Sequence, residues 1–173
     1  MPLVRLSEFL PDTQQIGQGV VVGQTGWEQV LENNKQAFAA EFVQRARFTT
    51  AFPQSLTPAQ FVDTLNANAG NPLLPSERDQ LVNSLTSAAM TRAQVLRAVA
   101  ENQILYNAES NRAFVLMQFL GYLRRNPNDP QDIDYSGDDF WLTKLNQFNG
   151  NFVNAEMVKA FITSAEYRRR FGE

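Results

Sequence analysis

The sequence contains neither cysteine nor histidine, and these two gaps exclude more chemistry than any motif supplies. Without cysteine there can be no disulfide, thiol nucleophile or thiolate metal site. Without histidine the commonest general base, the commonest transition-metal ligand and the usual partner of a catalytic serine are missing together. The chain therefore offers no zinc or non-haem iron site of the ordinary kind. Carboxylate, lysine, tyrosine or bound-cofactor chemistry is all that is left, and no spacing of acidic residues singles out an acid/base couple.

An excess of either charge is also missing. Fifteen Lys and Arg stand against 18 Asp and Glu, a net of -3, so neither a polybasic nucleic-acid face nor an acidic tail is implied. We expect no nucleic-acid partner. No apolar run approaches the ~20 residues that cross a bilayer, so membrane insertion is not expected either. Met1-Pro2-Leu3-Val4-Arg5 does not read as a signal peptide, because Glu8 and Pro11 interrupt any apolar stretch behind it.

What is present points to a packed interior. Hydrophobic residues make up 43% of the chain and phenylalanine alone occurs 13 times, which argues against disorder. Residues 1–25 read as an irregular lead-in, with Gly17, Gly19, Gly23 and Gly26 around the run Val20-Val21-Val22. No Lys-Ser/Thr ending and no βαβ pattern follow, so a segment docking its valines on the core is preferred over a phosphate loop.

From Thr25 onward the periodicity is helical. Trp27, Val30, Leu31, Phe38, Phe42 and Phe48 recur at three- and four-residue steps up to Pro53. Thr57-Pro58-Ala59-Gln60 and Thr91-Arg92-Ala93-Gln94 are capping-box signatures, and Ser76 opens a helix between them. Further helices are expected over about 111–125, 138–148 and 153–164, with a polar loop over 126–137 and a terminal turn through Phe171. The spacing of Trp27, Trp141 and the phenylalanines assigns them to the core. No stretch alternates with period two, so the expected fold is all-α, with seven or eight helices.

Internal similarity organises these helices. Residues 92–99 resemble 154–161 at a shift of 62, and 60–65 resemble 118–123 at a shift of 58. Phe42, Phe48 and Phe52 match Phe161, Tyr167 and Phe171 at a shift of 119. The reading is an irregular segment (1–25), a leading half-repeat (26–56), a first repeat (57–110) and a second (111–173), forming one compact unit around one core.

Gly121, Arg125, Pro127 and Asp129, then Gly137-Asp138-Asp139-Phe140-Trp141 and Phe161-Ile162-Thr163-Ser164-Ala165-Glu166-Tyr167, carry a family resemblance. The pattern resembles the bacterial domain-of-unknown-function 4214 repeats. The ending Glu166-Tyr167-Arg168-Arg169-Arg170-Phe171-Gly172 is similar to the phycobilisome-linker domain. The likeness covers about 111–172, with a weaker copy over 57–107 that has Leu81 in place of the tryptophan and no aspartates in its loop. It implies a non-enzymatic repeat module of a larger exported bacterial protein, extracellular or at the cell surface, with a protein or surface structure as its partner.

Two candidate sites remain. Asp132, Asp134 and Ser136 fall at positions 1, 3 and 5 of an EF-hand-like loop with Gly137 at 6, and Asp138 follows. Thr143 stands where a bidentate glutamate belongs, so the loop reads either as a weak Ca²⁺ site or as metal-free helix capping, with Ser136 as N-cap and Asp138 and Asp139 in the first turn. With calcium, the alternative function is an adhesion or glycan-binding module. Arg168, Arg169 and Arg170, with Arg124 and Arg125, form either an anion patch or a solvated helix end.

Overall fold

The computed structural model describes residues 4–172, and among them every regular element is helical. Ten α-helices follow in order: α1 (Leu6–Gly17), α2 (Trp27–Phe42), α3 (Ala46–Ala51), α4 (Pro58–Asn68), α5 (Pro75–Thr86), α6 (Arg92–Ala100), α7 (Gln103–Gln118), α8 (Ser136–Gln147), α9 (Met157–Thr163) and α10 (Ala165–Phe171). A single π-helical turn, Phe119–Leu123, continues α7.

The helix starts show how local chemistry sets boundaries. At α4 the Thr57 hydroxyl accepts the Gln60 backbone N–H at 3.3 Å, and Gln60 Oε1 accepts the Thr57 N–H at 2.9 Å. Thr91 and Gln94 repeat this reciprocal pair at α6. Glu77 receives the Leu74 N–H at 2.8 Å ahead of α5. Each pair satisfies donors that a helix N-terminus leaves without partners.

Several expectations are corrected. The lead-in is not irregular, because α1 occupies twelve of its residues with Pro11 inside. Glu8 accepts the Arg5 N–H at 3.2 Å and Asn126 Oδ1 accepts the Leu6 N–H at 2.8 Å, so two of its first donors are met. Two of the three valines do not dock: Val20 is half-buried, but Val21 is exposed and Val22 is 77% exposed. The helix expected from Thr25 to Pro53 breaks at residues 43–45. The helix after Thr91 ends at Ala100, where Asn102 Oδ1 takes the Ile104 N–H at 2.8 Å and opens α7. Phe140, Phe148, Phe152 and Phe171, expected inside, are exposed.

The described residues divide into two compact units, one of Pro11–Asn107 and the other of residues 4–10 with 108–172. Where one continuous core was expected, the buried residues form two clusters. In the first unit Phe48, Phe52 and Phe61 contact ring to ring, the first two stacked at 4.7 Å, with Val62, Leu81, Val95 and Val99 packed around them. Arg97 ties α6 to α2 there through both Glu32 oxygens, at 2.8 and 3.1 Å.

In the second unit Val115, Phe119, Leu123, Leu145, Met157 and Phe161 form the cluster. Phe119 meets Phe161 edge-on at 5.1 Å, and Trp141 lies 5.4 Å from Phe161. Gly150 follows the end of α8 with φ +79, where any other residue would be strained and its Cβ would lie 2.9 Å from Asn111 Oδ1. Among the described residues no helix is long and apolar enough to cross a membrane.

Candidate functional site

The polar loop between the π turn and α8 is built around Arg125. The π turn ends at Arg124, whose φ of 51 is left-handed, and the reversal sends the next side chain inward. Arg125 is only 7% exposed. Its Nε donates to Glu166 Oε1 at 2.7 Å, and Nη2 donates to Glu166 Oε2 at 3.2 Å and Asp132 Oδ2 at 2.7 Å. Nη1 donates to the carbonyls of Asn126 and Pro127, both at 3.1 Å. The guanidinium sits 5.3 Å from the centre of the Phe119 ring.

A guanidinium has five N–H donors, and five contacts use them. Arg125 therefore has no donor left for an incoming anion, and it does not join the arginine patch that its position suggested. Burial works against its charge, but Glu166 and Asp132 outweigh that penalty and raise its pKa above the ordinary value.

The rest of the loop is equally self-engaged. Asp129 accepts the backbone N–H and the side-chain amide of Asn126, both at 2.8 Å, and these hold its carboxyl below the usual range. Asn128 receives Arg5 Nη1 at 2.8 Å. The Ser136 hydroxyl, and then the Ser136 N–H that Asp134 accepts at 2.9 Å, lower the Asp134 pKa as well. The capping expectation is thus corrected: α8 starts at Ser136 itself, Tyr135 precedes it, and Asp134 supplies the oxygen. An Asp side chain two residues ahead of an orphan N–H reaches it more easily than a serine already inside the first turn.

The four residues singled out for calcium do not converge on one point, although Asp134 and Ser136 bond to each other. Asp132 turns to Arg125, Asp134 to Ser136, Ser136 enters the helix, and Asp138 faces inward. Asp138 is 2% exposed, its Oδ1 has no protein donor, and burial followed by the charge of Asp139 pushes its pKa up, against Arg112. Among the described residues no three acidic side chains come together to hold a metal ion.

Sequence reasoning missed the surface beside this loop. Ile133 is 96% exposed and Phe140 is 59% exposed, while Tyr135 is partly so. The signal was present in α8: an amphipathic helix that buries Asp138 and Leu145 and exposes Phe140 inverts the usual rule at two positions. Phe140 packs edge-on against Trp141 at 5.2 Å, and Lys144 Nζ lies 5.1 Å from the Trp141 ring centre. The first unit, taken by itself, has an apolar groove of about 370 Å³ along Phe38, Phe42 and Leu96, rimmed by Lys35.

Compared with known proteins, the chain matches no family model, no curated protein and no solved structure. The resemblance of residues 111–172 to the repeat family rests on the residues quoted for it alone.

Proposed function

We propose that the chain is a non-enzymatic protein-interaction module, with the outer face of α8 and the loop before it as its contact surface. The observation that carries this reading is the exposure of Ile133 and Phe140 beside a loop whose polar groups are already satisfied. Apolar side chains held out on an ordered surface cost solvation in the free protein, and that cost is recovered when a partner covers them. The absence of His and Cys from the sequence supports a binding role over a catalytic one.

The repeat reading belongs to the same proposal. At the shift of 119 residues α3 falls on α10, and the aromatic pairs they carry have similar spacings, 4.7 Å for Phe48–Phe52 and 4.8 Å for Tyr167–Phe171. The resemblance supports placement in a larger exported bacterial protein.

A photo-crosslinking residue at position 140, compared with one at exposed Gln54, tests the surface in cells that make the protein natively. A discrete partner captured only from position 140, and lost with Ile133→Ser, is expected. No adduct, or the same diffuse adducts from both positions, would overturn the proposal.

A further inference from the structure

Among the described residues, the arginines of α10 find little counter-charge, because the nearest carboxylates turn to the interior. Glu166 lies one helical turn before Arg170, and Asp132 closes the neighbouring loop, so both would neutralise a surface patch if they faced outward. They face Arg125 instead, each at 2.7 Å. Among the described residues, no carboxylate lies within salt-bridge distance of Arg124, Arg168 or Arg169. Arg170 keeps only a 3.8 Å contact with Glu166.

The exposed guanidiniums are positioned by this arrangement. Arg170 Nη1 donates to the Arg124 carbonyl at 3.2 Å, which brings the end of α10 against the left-handed turn. Arg169 reaches Gln131 Oε1 only at 3.5 Å and retains most of its donors. Arg168 edges an open recess of about 440 Å³ shared with Ile162, Tyr167 and Gly172. Ile162 and Phe171 are exposed beside it. A cation-rich, partly apolar end is thus presented by a chain whose net charge is -3.

We propose that this end docks an acidic protein segment, with carboxylates on Arg124, Arg168 and Arg169 and an apolar side chain in the recess. The inference rests on the reading of the chain as an interaction module and names its partner's chemistry. Guanidinium forks pair with carboxylates in two-point fashion. The arginines sit at the carbonyl end of α10, where no backbone N–H groups converge, so the cradle that phosphate sites use is missing. A recess of mixed polarity, with Ile162 and Tyr167 beside Arg168, suits a peptide side chain better than a nucleic-acid backbone.

The test is fluorescence anisotropy of the full chain with a labelled peptide of alternating glutamate and phenylalanine, beside a duplex oligonucleotide and phosphatidylserine vesicles. The peptide should bind, weaken as salt rises, and lose about tenfold or more in affinity with Arg168→Glu/Arg169→Glu, whose circular dichroism should match wild type. No binding at low salt, binding unchanged in that variant, or tighter binding of the oligonucleotide or vesicles would overturn it. A missing peptide complex with an intact Phe140 cross-link removes only the acidic partner; loss of that cross-link removes the module reading itself.

Discussion

Arg125 Nε lies 2.7 Å from Glu166 Oε1 across a separation of 41 residues, and this contact joins the turn after α7 to the last helix. With the Arg125–Asp132 pair, it makes one buried cation the hub of the second unit. Removing one partner of such a network strands the others. Arg125→Met should therefore cost about 3–5 kcal/mol in urea unfolding. Arg125→Lys should also destabilise, because an ammonium cannot span Glu166 and two carbonyls at once. Adding Glu166→Leu to Arg125→Met should recover part of the loss; a double variant no more stable than the single one would contradict the hub.

Asp138 works in the opposite direction. Its carboxyl is raised by burial, so folding favours the protonated form, and stability declines as pH climbs from the ordinary carboxylate value through the raised one. Asp138→Asn should melt higher than wild type at neutral pH, by roughly 1 kcal/mol after the lost helix-dipole contribution. The advantage should close as pH falls below the ordinary carboxylate range. A variant less stable than wild type at pH 7 would show that the charged form has a partner.

Glu32 makes an acid-labile contact in the first unit. Hydrogen bonds from Arg97, then Gln36, lower its pKa from 4.5 to about 2. A depressed carboxylate adds stability above its unfolded value and loses it as pH falls through the folded one. The stability gap between wild type and Glu32→Gln should thus be full at neutral pH, shrink below 4.5 and vanish near 2. A gap constant across that range would contradict the Arg97 contact.

How much could be read in advance depended on distance along the chain. The all-α class and the capping boxes at Thr57 and Thr91 were legible because each cap is decided within four residues. Helix α1 was missed because Pro11 reads as a breaker, while a first-turn donor of α1 is satisfied by Asn126, 120 residues away. The aspartates of the loop suggested a shared cation because their spacing is visible and their partners are not. Asp132 is claimed by Arg125 and Asp138 by the interior, and neither choice follows from spacing. Likewise the internal repeats suggested one core, yet the ring contacts near Phe48 and those near Phe119 gather into two.

The most direct test of the binding surface asks whether its apolar residues serve folding at all. Ile133→Ser/Phe140→Ser should melt within about 2 °C of wild type, as exposed positions do, while no longer co-purifying with the partner that the position-140 cross-link identifies. The buried Phe119→Ser should melt far lower, since a core phenylalanine costs about 3–5 kcal/mol when cut back. If the surface variant falls as far as Phe119→Ser, or keeps its partner undiminished, Ile133 and Phe140 are not a docking face and the interaction module must be sought elsewhere on the chain.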